Sequence, residues 1–124
     1  MNLLENMTKA QINLYILKFN SQEQDFNLLS NAEKQISITS AELNVQHTIK
    51  QQLDSLLAQH IDSSNIGNIN YRLFNNIIID GILHCIYFTT IPENTQIKNN
   101  TFPLSVKQYA IYSPNIQKIM QLIC

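Results

Sequence analysis

The sequence predicts an α+β fold in one domain spanning residues 1–124: N-terminal helices and one long helix packed on a small antiparallel sheet. That sheet is a hairpin over residues 69–91 plus a strand over 104–112, and a C-terminal helix closes the chain. Three observations predict this. Apolar residues recur at helical spacing through the first half of the chain. The period then changes to two on either side of Asp80-Gly81. Ser113-Pro114 finally restarts a helical stripe.

The elements are justified in chain order. Leu3, Met7, Ala10, Leu14 and Leu17 keep helical spacing, and Thr8 with Gln11 matches a capping box. Residues 12–19 are also rich in strand formers; helix is the favoured reading. Ser21 with Gln24 is a second capping-box match, ahead of a short helix carrying Phe26, Leu29 and Ala32. Residues 36–38 are a short strand or a linker. Thr39 with Glu42 is the third match and starts the long helix. Leu43, Ile49, Leu53, Leu56, Leu57, His60 and Ile61 form its apolar stripe. It ends near Asp62, before the turn chemistry of 63–68.

Asp-Gly is the strongest short hairpin signal, because both positions tolerate the positive φ of a type I′ turn. That turn pairs Ile79 with Ile82, Ile77 with His84, Asn75 with Ile86 and Leu73 with Phe88 on one face. Ile78 with Leu83, Asn76 with Cys85 and Phe74 with Tyr87 fall on the other. Both faces are largely apolar, so either the chain covers both or one awaits a partner. A turn at Asn75-Asn76 is a lesser alternative. Residues 92–103 form a polar loop. Ile116, Ile119, Met120 and Ile123 give the last helix its stripe.

With strands at 12–19 and 36–38 the element order would be similar to that of roadblock-type domains and, more loosely, of small secretion chaperones. That resemblance is one of order only and carries no motif.

Composition narrows the function. Hydrophobic residues make up 44% of the chain, charged residues 14%, and the formal charge is −1. Sixteen Asn, twelve Gln and nineteen Ile stand against two Val, two Gly and one Arg. The chain is too apolar for a disordered tail and too weakly basic to bind nucleic acid by neutralising phosphates. It is too poor in glycine for phosphate-cradling loops. The most apolar stretch, 77–91, carries Asp80 and His84 and falls short of the roughly 20 apolar residues a membrane span needs. No secretory signal is visible. Cys85 and Cys124 have no zinc spacing and read as reduced thiols of a cytoplasmic protein. The two Asn-x-Thr matches, at Asn6 and Asn99, are chance in so amide-rich a chain.

No catalytic or metal constellation emerges. His84 and Cys85 are adjacent on a strand and point to opposite faces. A cysteine hydrolase would therefore have to pair Cys85 with a histidine of the long helix, His47 or His60. Those two lie on different sides of that helix and cannot share an ion. The carboxylates are isolated, and no cofactor motif occurs. What remains are aromatics around a single arginine. Tyr71, Arg72, Phe74, Tyr87, Tyr109 and Tyr112 are the candidate partner-binding residues, since tyrosine and arginine favour interfaces. The expectation is a small non-enzymatic protein that binds another protein. It would be an immunity- or antitoxin-like inhibitor of a bacterial toxin, or an adaptor or chaperone for a secreted protein. The alternatives are the Cys85 hydrolase and a structural homo-oligomer subunit; a homodimer is compatible with each.

Overall fold

The computed structural model describes residues 9–62 and 68–123. Its centre is a long strand, β1, Lys9–Asn20. Ile12, Leu14 and Ile16 are buried on one side of it and Tyr15 and Leu17 on the other. A segment with apolar side chains on both faces is stable as a central strand, where both faces are covered. This overturns the expected first helix: the apolar run of 12–17 suits a two-sided strand better than a one-sided helical stripe. Leu3, Met7 and Thr8 lie outside the described residues.

Ser21–Gln24 is a turn and not a helix cap. The Gln24 N–H reaches the Ser21 carbonyl at 3.3 Å, and Gln24 adopts φ 51°. The i, i+3 polar pair of a capping box is also what a tight turn needs. The chain returns as β2, Asp25–Ser30, antiparallel to the second half of β1. Residues 36–38 are irregular, with Ile36 and Ile38 packed on the core. They hang on Ser30, whose hydroxyl donates to the Gln35 carbonyl at 2.6 Å and accepts from the N–H groups of Ala32 and Ser37.

The long helix is also corrected. Thr39–Glu42 forms strand β3, antiparallel to the first half of β1. Helix α1, Ile49–Ala58, starts later, at a complete capping box between Thr48 and Gln51. Asn44 stops any continuation backwards: its side chain caps the Gln46 N–H, and Gln52 bonds both backbone groups of Asn44. The turn expected at 63–68 lies outside the described residues except for Asn68.

Strands β4, Arg72–Ile79, and β5, Ile82–Ile91, form the expected hairpin. Asp80 and Gly81 take φ 52° and 78°, the positive pair of a type I′ turn. The expected register holds from Ile79 back to Asn75. A bulge then inserts Phe74, so that Leu73 faces Tyr87 and Arg72 faces Phe88. β6 is confined to Phe102–Ser105. The strand expected over 104–112 is instead helix α2, Val106–Tyr109, followed by a 3₁₀ turn, Ala110–Tyr112. Helix α3, Pro114–Ile123, begins as expected, with the Ser113 hydroxyl accepting from the Ile116 N–H.

The sheet is six-stranded and mixed, in the order β4-β5-β1-β2-β6, with β3 also on β1. β5 runs parallel to β1 along ten residue pairs, a pairing that no local signal announces. Helix α1 packs Leu53, Leu56 and Leu57 onto Ile12, Leu14 and Ile16. On the other face, α3 packs Ile116 and Ile119 onto Tyr15, Leu17, Ile86 and Phe88. The expected small antiparallel sheet beneath N-terminal helices is therefore a larger mixed sheet between two short helices. No helix among the described residues is long and apolar enough to cross a membrane.

Candidate functional site

On the α3 face, alternation along β1 sets Lys9, Gln11, Asn13 and Tyr15 in one row. The Gln11 amide donates to Asn13 Oδ1 at 2.9 Å. The Asn13 amide nitrogen lies 3.3 Å from His84 Nδ1, on the neighbouring strand β5. That amide nitrogen is a donor, so the contact is a hydrogen bond when His84 Nδ1 accepts. Further along the row, Asn115 at the start of α3 donates to the Tyr15 hydroxyl at 3.3 Å. Gln11, Asn13, His84 and Asn115 are each partly exposed. They form a row of polar donors and acceptors, with the exposed Lys9 at one end. Such a row can bond the polar edge of a planar heterocycle, as Asn and Gln do with bases.

The α1 face carries a second cluster. Tyr71 donates a short bond of 2.5 Å to Asp54, which also pairs with Lys50 at 3.1 Å. The Lys50 ammonium lies 5.7 Å from the centre of the Tyr71 ring. Burial, then the bond to Asp54, push the Tyr71 hydroxyl well above its ordinary range. At the end of α1, His60 is buried and its Nδ1 lies 2.8 Å from the Thr101 hydroxyl. Its Nε2 is buried without a hydrogen-bond partner. Burial, and secondarily Lys98, hold His60 below the usual histidine range.

The six candidate interface residues do not converge. Tyr71 and Tyr87 pack against the α1-side core, and Phe74 against the α3-side core. Arg72 lies 5.1 Å over the Phe88 ring. Tyr109 and Tyr112 stack edge-to-face at 6.4 Å near the opposite, β6 edge. There they line a shallow depression with Lys34, Gln35, Ile36 and Gln108.

Cys85 is not brought to a base: among the described residues no hydrogen bond joins it to a histidine. Among the described residues Cys85 is a free thiol, and burial pushes it up, away from the thiolate a nucleophile needs. His84 bonds Asn13 on the far face, and His60 is turned to Thr101. Cys124 lies outside the described residues. Hydrolysis of phosphate esters commonly uses divalent cations held by carboxylates. Among the described residues no group of three or more His, Cys, Asp or Glu is placed to hold a metal ion. Asp54, the one carboxylate on α1, is already committed to Lys50 and Tyr71. These residues do not fit a divalent-metal centre.

The sequence reading missed the Gln11–Asn13–His84 row. Its signal was present: Gln11 and Asn13 alternate with buried Ile12 and Leu14, a period of two that the helical reading of the segment concealed.

No protein-family model matches the chain, and no curated protein matches it by sequence. Solved structures do match. A mutT/nudix family protein from Listeria innocua has a TM-score of 0.62 at 10% identity, over 94% of each chain. The C-terminal domain of mouse MUTYH, solved with human PCNA, scores 0.61 at 8% identity, over 93% of this chain and 86% of that one. The NUDIX domain of Shewanella oneidensis NrtR, solved with ADP ribose, scores 0.58 at 9% identity, over 92% of this chain and 85% of that one. The chain spans only 43% of the MutT/nudix protein of Enterococcus faecalis that it also resembles. At these identities the likeness establishes the fold, which is that of Nudix proteins. The expectation of a non-enzymatic immunity, antitoxin or chaperone-like binder is overturned by this fold, whose recurrent neighbours are MutT/nudix family proteins and include a Nudix hydrolase of M. smegmatis and the Ap4A hydrolase of C. elegans.

Proposed function

We propose that the chain is a hydrolase of the Nudix type acting on a nucleoside phosphate compound. The observation that carries this is the fold match to Nudix proteins over nearly the whole chain. Two features support the ligand class. One neighbour was solved with ADP ribose. The Gln11–Asn13–His84 row offers hydrogen-bonding groups for a base edge, with Lys9 at its end for a phosphate. A cytoplasmic setting belongs to the same reading: among the described residues Cys85 is a free thiol, the state that a reducing compartment maintains.

The test is direct. ADP ribose and ATP are titrated by calorimetry, and product release is followed with and without added Mg²⁺. The expected outcome is saturable binding with turnover. Asn13→Ala should then weaken binding by about tenfold, the cost of one hydrogen bond left unmade. Binding without turnover overturns the hydrolytic reading. Absence of both overturns the ligand class as well.

A further inference from the structure

The two ends of the strand order are built differently. β6 is four residues long and carries Pro103, which cannot donate to a ladder and blunts the edge. β4 is eight residues long, and among the described residues nothing pairs with its outer side. Residues 73–79 contain no charge and no proline. Leu73, Ile77, Ile78 and Ile79 are 52%, 41%, 58% and 49% exposed. A long apolar edge without charged residues is a template for another strand.

We infer that β4 is a self-association edge and that its occupant is β4 of a second copy of this chain, paired antiparallel about a twofold axis. Charge selects this occupant. β4 opens with Arg72, the only arginine, and ends against Asp80. Antiparallel self-pairing sets the Arg72 end of one strand beside the Asp80 turn of the other, and does so twice by symmetry. Parallel pairing would stack like charges. Opposite charges across strands stabilise a pair, and like charges oppose it. With an axis normal to the sheet, each face meets the same face of the partner. In that register Asn76 lies at the axis, and Ile78 and Ile79 of each copy face the Leu73–Phe74 segment of the other. With a chain net charge of −1, the two copies repel each other little.

Sedimentation equilibrium over a concentration series tests this. The expected species is a dimer of twice 14.3 kDa. Ile78→Lys sets an ammonium group against the apolar Leu73–Phe74 segment of the other copy, twice by symmetry, and should weaken the dimer by at least about tenfold. Arg72→Glu should weaken it too. Val45→Lys, at a position 91% exposed elsewhere, should leave it unchanged. A monomer at every concentration overturns the inference. So does a dimer undiminished in an Ile78→Lys variant whose melt matches that of the parent. If Ile78→Lys does not fold, hydrogen exchange on the parent decides. Amides of residues 73–79 must gain protection as concentration rises, and no gain overturns the inference.

Discussion

His60 carries the clearest pH consequence at the level of single residues. Its neutral form is favoured in the folded protein by burial and by Lys98, so the unfolded chain binds the proton first. Stability is then flat above the ordinary histidine value of about 6.5 and falls as pH drops below it. Urea titrations between about pH 7 and pH 5 should show this fall, and His60→Gln should remove its share of the slope. Other side chains of this kind were hard to foresee. Ser30 looks ordinary in the sequence, yet it satisfies three backbone groups across a turn. Asp54 looks like a solvated helix residue, yet it holds Tyr71. Each depends on a partner that local spacing does not reveal.

Among the elements, those with a local chemical signal were the legible ones. Asp80-Gly81 specified its hairpin because two successive positive φ angles exclude most other residues. Ser113-Pro114 specified the start of α3. The capping-box pattern was less discriminating. Of the pairs that match it, Thr48–Gln51 caps a helix, Ser21–Gln24 makes a turn and Thr39–Glu42 lies in a strand. The difference lies downstream of each pair: only after Thr48 does an apolar stripe at helical spacing meet a surface that buries it. Thr48→Ala should cost about 1 kcal/mol in chemical denaturation, and Thr48→Ser should recover most of it.

For the whole molecule, β1 is the element both cores share: α1 covers one face of it and α3 the other. Leu57→Ala, at a fully buried position on α1, should cost roughly 2–5 kcal/mol. Because β1 couples the layers, the loss should appear as one earlier transition in a thermal melt, with signals from both faces moving together. The candidate site obeys the same logic. Gln11 and Asn13 were visible as polar residues, but His84 and Asn115 join their row only through the parallel β1–β5 pairing and the docking of α3.

The sequence by itself determined the hairpin and its turn, the closing helix, the apolar part of α1 and the two-sided apolar character of residues 77–91. These rest on interactions within a few residues. Only the tertiary structure decided that residues 9–20 are the central strand, that β5 lies parallel beside it, and that 106–112 turn helical beyond a proline-blunted edge. The reason is physical: a segment apolar on both faces is stable as a strand only where other parts of the chain supply its ladder and cover both its sides, and those parts lie far away in sequence.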